Sequence, residues 1–229
     1  MKKLLSFALI ASFAAVSAHA ADVIGTSSAV FTNPQPLNTT FSGVNTNSFT
    51  WGNPGNFGVG ANNLTFTGSN FDVNLNTPFK LGTLSYFNGT TSAGSNASSL
   101  DFKTQLNFTQ PGIPAVFSTF TLGLNSTANT SDPVASADFV NFNSLTSSSR
   151  FVIGDITYTI KIDGFRNVVG DGFLESNAHQ FHVQEGRRAS AELFGTVTAV
   201  PEPETYAMML AGLGALALVA RRKQAKKLG

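Results

Sequence analysis

The chain of 229 residues has no cysteine, one tryptophan, three histidines and only 12% charged residues. Without cysteine there is no disulfide framework, no thiol nucleophile and no Cys-based zinc site, so a folded domain must be held by its core and its hydrogen bonds. HExxH and GxSxG patterns are also missing, which removes the minimum parts of the zinc-hydrolase and serine-hydrolase classes. The net charge of +1 hides an asymmetry: residues 21–200 carry seven Lys and Arg against eleven Asp and Glu, a net −4, and the remaining basic residues gather at the two ends. A mildly acidic domain is poorly suited to nucleic acid, whose phosphates call for clustered cations.

At the N-terminus, Lys2 and Lys3 precede an apolar stretch from Leu4 to Val16, followed by the small residues Ala18 and Ala20. This order reads as a secretory signal peptide over residues 1–20, with cleavage between Ala20 and Ala21. The apolar run is well short of the roughly 20 residues that span a bilayer.

The C-terminal 200–229 segment has three parts in order: Pro201-Glu202-Pro203, an apolar stretch over 206–220, and a basic tip over 221–227 that includes Arg221, Arg222 and Lys223. Basic clusters beside an apolar helix resist translocation, so the domain before them should lie outside the inner membrane. As a helix the apolar stretch would reach about 22 Å, against a bilayer core of about 30 Å. Gly212 and Gly214 lower its helix propensity further. A marginal transmembrane helix, holding the chain transiently, is the expectation.

This tripartite tail resembles the PEP-CTERM protein-sorting tail. The resemblance implies a Gram-negative bacterium that makes extracellular polysaccharide, and an exosortase, a membrane transpeptidase, as the partner that recognises the tail. The chain would be the substrate of that enzyme, exported across the inner membrane and then placed in the envelope, on the outer surface, or released.

Between the ends, residues 21–199 have the length of one domain with a substantial core. Nineteen of the 21 phenylalanines lie there. Apolar residues recur with period two at Leu64 and Phe66, at Phe71, Val73 and Leu75, at Leu100, Phe102, Leu106 and Phe108, at Phe120, Leu122 and Leu124, and at Tyr158, Ile160 and Ile162, the pattern of half-buried strands. Turn signals at Asn88-Gly89, Gly154-Asp155, Asp163-Gly164 and Asp171-Gly172 separate them. About ten strands at this spacing predict an all-β antiparallel sandwich, jelly-roll-like, with polar loops over 88–99 and 125–136 at an end of it.

The stretches Ser48–Gly52, Pro78–Thr90 and Gly164-Phe165 are similar to the family named choice-of-anchor K, whose members pair one β-domain with varied anchoring tails. That resemblance brings no ligand or activity.

For sugar binding, the rings that could stack on a pyranose are Trp51, Tyr86 and Tyr158. Trp51 shares a strand face with Phe49, which is equally the position of a core residue. For calcium, Asn125, Asn129, Asp132 and Asp138 lie in or beside one polar loop and offer the oxygen ligands of hard cations. Their spacing is not that of an EF-hand, and Asn and Asp are also ordinary loop residues. Glu175, Glu185, Glu192, Asp138 and Asp155 are available as a carboxylate pair for glycoside hydrolysis, as such sets are in any chain of this length. His179 and His182 are three apart, so in a strand they point to opposite faces and read as surface residues. The expectation is therefore an exported structural or adhesive protein of the envelope or extracellular matrix, associated with exopolysaccharide in a biofilm, without enzymatic activity or a required cofactor. A carbohydrate-binding module and, behind it, a glycoside hydrolase are the alternatives.

Overall fold

Strict alternation of buried and accessible residues runs through most of the domain, and each such run is a strand. The computed structural model describes residues 22–110, 112–153, 156–199 and 210–217. In chain order the strands are β1 (Asp22–Gln35), β2 (Phe41–Ser42), β3 (Ser48–Trp51), β4 (Asn62–Gly68), β5 (Asn70–Asn74), β6 (Phe79–Phe87) and β7 (Ser99–Gln110). They continue as β8 (Val116–Asn125), β9 (Asp138–Phe142), β10 (Thr146–Ile153), β11 (Ile156–Gly170), β12 (Gly172–Leu174), β13 (Gln180–Val183) and β14 (Arg188–Ala199). Two seven-stranded antiparallel sheets result, ordered β12-β13-β9-β8-β7-β1-β5 and β10-β11-β14-β6-β4-β3-β2. Their facing sides bury one continuous apolar core, so the fold is a β-sandwich.

Rings fill much of that core. Phe41, Phe49, Trp51 and Tyr86 stack in succession, with centroids about 6 Å apart. A second series of ring contacts joins Phe31, Phe102, Phe142, Phe165 and Phe181. The polar Ser27 ties the sheets together: its hydroxyl donates to the Leu81 carbonyl and accepts the Ser69 amide. Such bonds answer the requirement that a buried polar group find a partner.

The antiparallel register sorts the loops into two ends. One end holds the start of β1, where Asp22 pairs Asn74, and the end of β14, where Ala199 pairs Tyr158. The other end holds the loops that follow β6 and β8, the start of β9 and the β13–β14 turn. Seen along β14, about eleven residue steps at 3.3 Å separate the two, roughly 36 Å.

Of the turn signals among the described residues, Asn88-Gly89 and Asp171-Gly172 stand where the chain crosses from one sheet to the other and close no hairpin, and a third separates no strands. Asp163-Gly164 does not close a hairpin; it lies inside β11, where the pairing with β14 shifts register between Ile162 and Gly164. Gly164 has a φ of 115°, and a Cβ there would meet the Ala178 carbonyl oxygen at 2.7 Å. The glycine makes a bulge in a continuous strand, which is the other use of this residue within sheets.

Within the apolar stretch expected as a transmembrane helix, residues 210–217 are described and are helical. Among the described residues no helix is long and apolar enough to cross a membrane.

Candidate functional site

Two carboxylates far apart in sequence come together at the end of the sandwich opposite the start of β1 and the end of β14. Asp138 opens β9 and pairs with Val183 at the end of β13, and Glu185 follows two residues later in the turn to β14. Both line a cavity of about 420 Å3, completed by Gly89, Thr91, Asn96, Ser126, Thr127 and Asn129 among others. The two polar stretches expected as loops, 88–99 and 125–136, form most of its wall.

Each carboxylate is held by neighbouring loops. The Thr127 amide donates to Asp138 Oδ1 at 2.7 Å and the Thr127 hydroxyl at 3.3 Å. Glu185 Oε1 accepts from the Thr90 hydroxyl and, at 3.1 Å, from Asn129 Nδ2. Asn96 links the walls: its Oδ1 accepts from Thr91 at 2.9 Å and its Nδ2 donates to Ser126 Oγ at 3.2 Å. Burial pushes the Asp138 carboxyl up to about 6, the Glu185 charge pushes the same way, and hydrogen bonds from Thr127 and Ser126 oppose the rise. Burial, with the Asp138 and Glu185 charges behind it, also raises the buried Tyr86 phenol well above its ordinary value.

The four residues proposed for calcium do not form one set. Asn129 and Asp138 line the cavity, but Asn125 bonds Asn141 at 2.6 Å within the sheet. Asp132 caps its own turn, accepting the Val134 amide at 2.8 Å, the ordinary loop role of Asp. Among the described residues no three His, Cys, Asp or Glu side chains converge as a metal site.

The sugar-stacking residues are corrected outright. Trp51, Tyr86 and Tyr158 are 2%, 1% and 5% exposed and belong to the core, so no face of these rings is open to a ligand. The inward positions of the strands carry them, as the shared face of Phe49 and Trp51 allowed. His182 is not a plain surface histidine either. It sits between Phe139 and Phe173 at 4.6 and 4.7 Å, and burial lowers its pKa. Asp155 lies outside the described residues, and Glu175 and Glu192 are not among the cavity's lining residues.

Sequence reasoning found Asp138 in its loop and Glu185 only as one of many carboxylates. It missed Thr90, Thr91, Asn96, Ser126 and Thr127, because a Ser, Thr or Asn in a polar loop looks like any other until the fold brings the loops together.

The cavity end lies roughly 36 Å along β14 from the point where the chain leaves for its C-terminal segment. The described architecture is a β-sandwich domain followed by a C-terminal segment that carries a helix over 210–217. The tail is a PEP-CTERM protein-sorting motif: residues 199–223 match the family model of that description. The match supports export and sorting by exosortase; it covers the tail and, of the sandwich, only Ala199 at the end of β14. No curated protein matches the chain. Pro201, Glu202 and Pro203, the signal-cleavage pair Ala20 and Ala21, and the basic cluster Arg221, Arg222 and Lys223 lie outside the described residues.

Proposed function

We propose that the chain is a structural or adhesive protein of the envelope or extracellular matrix, non-enzymatic, whose sandwich meets exopolysaccharide through the polar cavity at the end far from the tail. The observation that carries this reading is the cavity's lining. Hydroxyls, side-chain amides and two carboxylates facing one space of about 420 Å3 are the groups that exchange hydrogen bonds with a hydroxyl-rich polymer. Its position suits the role, since a tail held in the membrane leaves that end facing outward.

A second reading, glycoside hydrolysis, is favoured by the two carboxylates in one cavity, one of them raised toward neutral pH. Against it, both side chains already accept hydrogen bonds that tie neighbouring loops. A carbohydrate-binding module that stacks sugars on Trp51, Tyr86 or Tyr158 has lost its rings to the core.

The test is co-sedimentation of the mature protein with the host's extracellular polysaccharide, in calcium and in chelator. Binding that Glu185→Gln weakens, with no new reducing ends released, supports the proposal. Release of reducing ends that Glu185→Gln or Asp138→Asn abolishes would replace it by the hydrolase reading. Absence of binding in both conditions would sink the polysaccharide contact.

A further inference from the structure

The end of the sandwich that carries the start of β1 and the end of β14 has a different chemistry from the cavity end. Where β8 and β10 approach one another, Ile113, Pro114, Phe117, Phe151 and Val152 line a groove of about 550 Å3. Phe117 and Val152 are each about half exposed, although both are large and apolar. Contiguous exposed apolar surface of this kind marks a contact with something, whereas Leu37, Phe57 and Val134 sit singly on three different loops. Arg150 also lines the groove, and the Lys103 ammonium lies 5.2 Å from the centre of the Phe117 ring. Cations beside aromatic and aliphatic side chains suit the boundary between lipid headgroups and acyl chains.

Topology names the occupant. Phe151 pairs with Tyr158, and Tyr158 pairs with Ala199, so the groove lies two strands from the residue where β14 ends. Seven residue steps separate Ala199 from Tyr206, the start of the apolar stretch, and even a fully extended chain of that length spans at most about 25 Å. Asp22, at the start of β1, is at the same end. A membrane holding the tail is thus within reach of the groove and out of reach of the cavity end.

We propose that the groove between β8 and β10, with Ile113, Phe117 and Val152 at its apolar rim and Arg150 as its cation, rests on the lipid surface while the tail is held in the membrane. The proposal builds on the sorting reading and adds a second, non-covalent contact: the domain is seated on the bilayer rather than swinging above it. Seating would fix the distance and orientation of the segment between Ala199 and Tyr206 at the membrane surface, where a membrane-bound transpeptidase must meet it.

The natural absence of cysteine allows single-site labelling of the full chain. Val152→Cys, Leu37→Cys and Ala215→Cys, each carrying an environment-sensitive fluorophore, are reconstituted in vesicles of phosphatidylethanolamine and phosphatidylglycerol with doxyl-labelled lipid. The expected result is a blue shift and loss of emission at 152 and at 215, with neither at 37. Arg150→Ser should reduce the loss at 152 and leave that at 215 unchanged. Quenching at 215 without quenching at 152 overturns the seating while leaving the sorting reading intact. Quenching at 152 without quenching at 215 supports the seating and counts against membrane insertion of the tail. Protection of 152 that follows protein concentration and not lipid identifies a second copy of the chain as the occupant and overturns the lipid contact.

Discussion

Replacing Asp138 by Asn should change how the stability of the sandwich depends on pH. The folded protein holds the Asp138 proton up to about pH 6, whereas an ordinary carboxyl releases it near 3.8. Between those values the native state binds a proton that the unfolded chain has lost, so this group's contribution is fully present below 3.8 and is lost as pH rises through 6. At about 1.4 kcal/mol per pH unit, the loss amounts to about 3 kcal/mol. The amide of Asn keeps an oxygen for the Thr127 N–H and carries no charge, so Asp138→Asn should omit this slope. Urea unfolding of wild type and variant from pH 3.5 to 8 measures it. His182 titrates in both proteins, as does the Lys80-paired Glu192, so their slopes cancel in the difference. The difference curve should favour the variant increasingly from pH 4 to 6 and then level off. Parallel curves would refute the argument that burial beside Glu185 charges a penalty to the ionised form.

Three further substitutions test the packing. Trp51→Ala removes a ring stacked 5.7 Å from Phe49 and 5.6 Å from Tyr86 and should cost roughly 3–5 kcal/mol in chemical denaturation. Gly68→Ala would set a Cβ 1.9 Å from the Ser27 carbonyl oxygen, and the backbone shift this forces should lower stability by roughly 1–3 kcal/mol or prevent folding. Lys80→Ala breaks an ion pair of 2.6 Å with Glu192 on the accessible face of β6, and differential unfolding should register less than about 1 kcal/mol, because solvent screens the pair.

The strands were legible because their alternation is strict. Leu64 and Phe66, Leu100, Phe102, Leu106 and Phe108, Phe120, Leu122 and Leu124, and Tyr158, Ile160 and Ile162 all point into the core. Short strands such as β2 and β12 carry too few residues to show a period, so the count of about ten fell below the fourteen described. Rings were harder to place. Period two says that Phe49 and Trp51 share a face, and only the second sheet decides that this face is the inner one. The cavity was not legible, since Asp138 and Glu185 are 47 positions apart and meet through the pairing of β9 with β13, a register that no local signal specifies. The tail was the opposite case. Its meaning rests on the order of three segments, which the sequence states directly and the fold does not alter.

Sorting through that tail is the central claim, and the intact mass of the protein isolated from its host tests it most directly. The mature form should begin at Ala21 and lack the segment that follows Pro201-Glu202-Pro203. A mature form that still carries the basic tip from Arg221 to Lys227 would contradict it.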